Sequence, residues 1–163
     1  MINEAKKWIG YLEHQTNDLL GIYTANVGKG YCTIFSEIIR QHYRWRNFAG
    51  VPWCATFIQA VALETYGKTN ALEILGKPHP GTKVLARRLK RKGRLTGRDY
   101  SPHSGDLIFF HNGDGAIGHC GIVELVDEGC VTTIEGNATD STGHFTKTQG
   151  GAVSRTTRQL TDQ

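Results

Sequence analysis

No uninterrupted apolar stretch in the 163 residues approaches the length of a bilayer span, so a membrane-crossing helix is not expected. The first residues, Met1 to Lys7, mix acidic and basic side chains in an amphipathic pattern instead of placing an apolar run behind a positive charge. No signal peptide is visible there. The expectation is a protein made in the cytoplasm that acts in the periplasm or cell wall after lysis or dedicated export. Four cysteines, Cys32, Cys54, Cys120 and Cys130, include no CxxC pair and are too few to define a disulfide-dense class. The redox compartment stays open, and a Cys120–Cys130 disulfide is not favoured because the hairpin turn at 127–129 sets Cys130 across from about Val126. The sequence also lacks internal repeats and any linker-like shift in composition, so residues 1–163 read as one domain long enough to close its own core. The glycines of Asn26 to Gly30 miss the GxGxxG spacing and follow no strand of β-branched residues, which removes a dinucleotide loop.

What charge there is has a place. The net charge is +4, and much of the excess sits in Lys83, Arg87, Arg88, Lys90, Arg91, Lys92, Arg94 and Arg98. These surround Val84, Leu85 and Leu89, spaced for a helix with a narrow apolar face. Such a block reads either as a solvated surface helix or as an attractor of polyanions whose field salt weakens. Nothing in it resembles a recognition helix or a zinc finger, and specific nucleic-acid binding is not expected.

In chain order, Ile2 to Leu20 is expected as a first helix carried by Ala5, Trp8, Ile9 and Leu12, with Asn17 and Asp18 as a weak point near its end and Gly10 an unfavourable residue within it. Thr33 to Tyr43 forms a second, and Trp45, Phe48 and Val51 lead toward a third from Trp53 to Thr65 that ends at Gly67. A short helix through Leu72 and Leu75 and the rigid turn 76–81 precede the basic helix. After Pro102 the period changes to strands at Gly105 to Phe110, His119 to Val126 and Cys130 to Glu135, the last two joined by a turn at Asp127, Glu128 and Gly129. A mobile segment from Gly136 to Gly150 then leads to an edge strand at 152–158. Helices first and an antiparallel sheet second give the class α+β.

Within this order, Cys54 falls in the first turn of a buried helix, where unpaired amide hydrogens and the helix dipole favour a thiolate. His119 opens a strand, and Glu135 and Asn137 lie on or just beyond the returning one, where period-two alternation can present both on one side. An imidazole beside the thiol can take its proton and later protonate a leaving amine. Either a carboxylate or a carboxamide on its far nitrogen can fix the tautomer. Each residue alone also has a bland reading, as a packed cysteine or a satisfied structural histidine.

Taken together, Pro52 to Ile58, Gly105 to Phe110, Gly118 to Glu124 and Ile134 to Asn137 resemble, in the expected order, the four signature blocks of the CHAP family of cysteine, histidine-dependent amidohydrolases and peptidases. The resemblance spans about 43–158, with the first forty residues matching only as a helical lead-in. It implies a papain-like fold, helices packed on an antiparallel sheet with the cysteine at a helix N-terminus, and hydrolysis of a peptidoglycan amide without a cofactor or metal. The bond is either the one between muramic acid and L-alanine or one in the stem peptide or cross-bridge. By the same resemblance Cys54 is the nucleophile, His119 the base, Glu135 the orienting residue and Asn137 an additional polar residue of the site. Cys120 departs from the family's usual valine or alanine, and alternation is expected to turn it away from the chemistry. No aspartate-rich calcium loop or wall-binding module is recognisable. The expected partner is peptidoglycan, joined by an anionic wall polymer along 83–98, with a monomeric chain and an immunity protein if it is an effector. Three rivals remain: a non-catalytic wall or polyanion binder, a nucleic-acid binder, and a zinc amidohydrolase recruiting His103, His111, His119 and Cys120.

Overall fold

The computed structural model describes residues 1–44, 46–139 and 150–160. Four helices, α1 (Ile2–Lys7), α2 (Ile34–His42), α3 (Cys54–Leu75) and α4 (Thr82–Arg91), precede four strands, β1 (Leu107–His111), β2 (Ile117–Asp127), β3 (Cys130–Ala138) and β4 (Ala152–Gln159). The strands form one antiparallel sheet in the order β1-β2-β3-β4, so the fold is α+β as expected. The central helix is α3. Every residue from Cys54 to Leu63 is buried, and the helix packs on α2, β2 and β3 while α4 covers its other flank and β2. Burying such a continuous apolar run supplies much of the core's driving force, about 25 cal/mol for each Å² removed from water.

Local chemistry explains the breaks. Thr33 caps α2 by accepting the Ser36 amide at 3.2 Å on its hydroxyl. Gly67, with φ 72, interrupts α3 where the apolar pattern ends, and the short helix expected near Leu72 follows at once as its second half. The basic helix is shorter than its charge block: α4 stops at Arg91, and Arg94 and Arg98 lie in the loop beyond. At the β2–β3 turn both Glu128 and Gly129 have positive φ, which suits a tight two-residue hairpin. Cys130 there faces Asp127 rather than Val126, and all four cysteines are free.

The first helix is the main correction. It ends at Lys7, not Leu20, because Gly10 takes φ 90 and the chain beyond it joins distant partners. Leu12 bridges to Ala152 and His14 to both Val27 and Cys32, pairings that no local period reveals. The lead-in is therefore mostly turns and bridges. Val51 is partly exposed, Phe48 is buried, and Trp45 lies outside the described residues. Of the segment expected to be mobile, Gly136 to Ala138 belong to β3, and 140–149 lie outside the described residues.

Candidate active site

The site is assembled where the start of α3 meets the sheet. Trp53 is the N-cap, makes no side-chain cap and leaves the first-turn amides of α3 free around Cys54. Trp53 itself is held from the N-terminal segment: its indole N–H donates to buried Glu13 at 2.8 Å, and its ring stacks on Phe35. Burial raises the Glu13 carboxyl above its ordinary value, against the hydrogen bond from Trp53. On the sheet, Gly136 lets β3 come close to this turn, since a Cβ there would meet Phe57 at 2.5 Å and Trp53 at 2.8 Å.

His119 lies on β2 and Glu135 on β3, joined by a 2.7 Å hydrogen bond between Nε2 and Oε2. Gly121 keeps space for the carboxylate, because a Cβ at that position would lie 2.8 Å from Glu135 Cγ. The carboxylate is also bound by the Thr133 hydroxyl at 2.5 Å and by both terminal nitrogens of Arg158, one at 3.0 Å. Phe110, the cross-strand partner of His119, touches both charged groups: it stacks on the imidazole and carries the Arg158 guanidinium 4.2 Å from its ring centre. Histidine and carboxylate are thus fixed from three strands and from β4.

The electrostatics follow from these contacts. Hydrogen bonding from the Cys120 thiol, together with His119 and Thr82, outweighs burial and lowers the Cys54 thiol to about 4. Burial would lower His119, but hydrogen bonds to Cys54 and Glu135 raise it to about 9. Burial would likewise raise Glu135, yet His119, Arg158 and Thr133 hold it at about 2. Cys120 moves the other way, well above an ordinary thiol, because it donates toward the Cys54 thiolate and is itself desolvated. At neutral pH the arrangement is a thiolate facing an imidazolium backed by a carboxylate, able to attack an electrophilic carbonyl and to deliver a proton.

A scan against protein families finds the CHAP domain at residues 45–137, more than half of the chain. The chain belongs to the CHAP domain family. No curated protein and no solved structure matches it. The CHAP domain carries amidase- or peptidase-type hydrolase activity, generally on peptidoglycan. The matched span of this CHAP domain includes Cys54, His119, Glu135 and Asn137, but neither Glu13 nor Arg158.

Of the four residues singled out in the sequence, Cys54, His119 and Glu135 come together. Asn137 does not join them. The pairing of β3 with β4 slips between Glu135 and Ala138, Asn137 takes φ 54, and its buried Oδ1 has no hydrogen-bond partner among the described residues. Alternation turns Cys120 away from Glu135 as expected, but that is the side on which α3 and α4 pack, so Cys120 meets the chemistry after all. Thr82, the first residue of α4, was also missed: its hydroxyl lies within hydrogen-bond distance of Cys54 Sγ, at 3.2 Å. For the zinc alternative, His103 is exposed and bonds Tyr100, and no group of three or more histidine, cysteine or acidic side chains among the described residues could hold a metal ion.

Proposed function

We propose that the protein hydrolyses an amide of peptidoglycan by a thiol mechanism, with Cys54 as nucleophile, His119 as proton carrier and Glu135 as the residue that holds the imidazole. The observation that carries this reading is the Cys54–His119–Glu135 series at the N-terminus of α3. The thiolate attacks the carbonyl carbon, the amide π electrons move to oxygen, and the tetrahedral intermediate collapses as His119 gives its proton to the leaving amine. Neutral His119 then takes a proton from water, hydroxide attacks the thioester, and the carboxylic acid leaves as the thiolate is restored. Free amides in the first turn of α3 suit the oxyanion that forms in each half. Asn137, whose buried Oδ1 has no hydrogen-bond partner among the described residues, is read as an additional polar residue of the site. The frame is read as papain-like, a single domain over 1–163, acting in the periplasm or wall after lysis or dedicated export.

The bond we favour is that between muramic acid and L-alanine, because a glycan-anchored substrate offers it at every stem whereas bridge chemistry varies. Purified walls of a Gram-negative and of a lysine-type Gram-positive chemotype, digested separately, should release whole stem peptides from intact glycan. Shortened stems or split bridges would make the protein an endopeptidase instead. Cys54→Ala and His119→Ala should each lower the release by roughly 10⁴-fold or more with the fold retained. Near-full activity in either variant would end the thiol mechanism, and a wild type that binds walls without releasing anything would make it a binding module.

A further inference from the structure

Two free cysteines meet at one hydroxyl. Thr82 Oγ1 lies 3.2 Å from Cys54 Sγ and 4.0 Å from Cys120 Sγ, and both sulfurs are buried in the contact of α3 and α4 with β2. The hydrolytic cycle has a use for only one of them. We propose that Cys120 is a resolving thiol for Cys54, so that a hydroperoxide converts the pair to a disulfide instead of destroying the nucleophile. The inference stands on the two sulfurs and their surroundings and needs no particular hydrolytic substrate.

The steps balance. The Cys54 thiolate attacks the terminal oxygen of the hydroperoxide; an S–O bond forms, the O–O bond breaks, and the departing alkoxide or hydroxide takes the His119 proton. Cys54 is now a sulfenic acid, two electrons more oxidised, and the peroxide has been reduced by the same two. The Cys120 sulfur then attacks Cys54; the S–S bond forms, the S–O bond breaks, and the oxygen leaves as water with the proton of the Cys120 thiol. The order of events is built in, because Cys120 stays protonated while a thiolate faces it and loses that restraint once Cys54 becomes an uncharged sulfenic acid. Neither Cys32 nor Cys130 shares this position: Cys32 hydrogen-bonds the Gln15 and Gly30 carbonyls, and Cys130 sits at the hairpin end of β3.

The test reads masses and requires no hydrolysis. The full chain is exposed to hydrogen peroxide, its remaining thiols are alkylated, and it is digested without reduction. A cross-linked peptide pair holding Cys54 and Cys120 should appear, with Cys32 and Cys130 alkylated, and dithiothreitol should return both thiols. In Cys120→Ser, and independently in Cys120→Ala, Cys54 should instead advance to sulfinic acid that dithiothreitol does not reverse. Wild-type Cys54 reaching sulfinic acid while Cys120 remains alkylatable would overturn the proposal, as would a disulfide from Cys54 to either other cysteine. A chain that forms the Cys54–Cys120 bond but releases nothing from any wall would refute the hydrolase reading and leave this one standing.

Discussion

With Glu135 bound at Nε2 of His119, only Nδ1 of that ring is left for Cys54, so the tautomer and the direction of proton transfer are set before substrate arrives. The pair titrates as a unit. Its charged form needs Cys54 deprotonated, which holds above about 4, and His119 protonated, which holds below about 9. Activity is therefore expected to form a plateau between those values, rising on the acid side and falling on the alkaline side. Iodoacetamide should modify Cys54 ahead of the other three thiols across the same window, and in His119→Ala its rate should climb at a higher pH than in the wild type, only part of the way back to an ordinary thiol because Cys120 and Thr82 still hold the thiolate. Uniform labelling of all four would contradict the ion pair. Arg158 acts one step further out, as a positioning residue. Arg158→Ala removes a positive charge beside the imidazole, so the alkaline limb should move upward and kcat fall roughly tenfold with KM little changed. Arg158→Lys should recover part of the loss but not the two-pronged geometry. An unchanged pH profile in Arg158→Ala would reduce that residue to a packing role.

At the scale of elements, the approach of β3 to the first turn of α3 depends on Gly136, and Gly136→Ala would force Phe57 and Trp53 aside. A loss of about 1–3 kcal/mol is expected, read as a lower denaturant midpoint at unchanged slope. A neutral result would mean that α3 can shift without cost. These elements also divide into what the sequence discloses and what it does not. The run from Cys54 to Leu63 and the change of period after Pro102 are local signals, and they give α3 and the hairpin. That Cys54, His119 and Glu135 belong to one site rests on the four family blocks, since the residues alone leave the choice between Glu135 and Asn137 open. Gly10 and the bridges of Leu12 and His14 are settled by partners far along the chain, so an apparent helix became turns. Asn137 was misplaced by a slip in strand register, which a strict period of two does not anticipate. Arg158 was closer to legible, since Ser154, Thr156 and Arg158 share a parity and the first two pair with Glu135 and Thr133. Thr82 and Cys120 needed knowledge of which sheet face α4 covers.

For the whole molecule, α4 sets an amphipathic basic helix against α3 and β2, its Leu85 and Leu89 buried and its Lys83, Arg87 and Lys90 exposed. Attraction to whole anionic walls should weaken as salt rises, while hydrolysis of a small soluble muropeptide should change less, because only the first sums many exposed charges. Parallel sedimentation and turnover measurements across a salt series would separate the two. Equal sensitivity would remove α4 as a wall-binding surface. The position of β4 bears on a different matter, that of building chimeric enzymes by exchanging modules. The strand lies at the open edge of the sheet, follows the matched span, carries Arg158 and is met at Ala152 by Leu12 from the other end of the chain. A graft of 45–137 would transplant the nucleophile, the base and the carboxylate, yet it would leave behind both Arg158 and Glu13, the two side chains that hold Glu135 and Trp53. The transferable unit is therefore longer at both ends than the signature that identifies it.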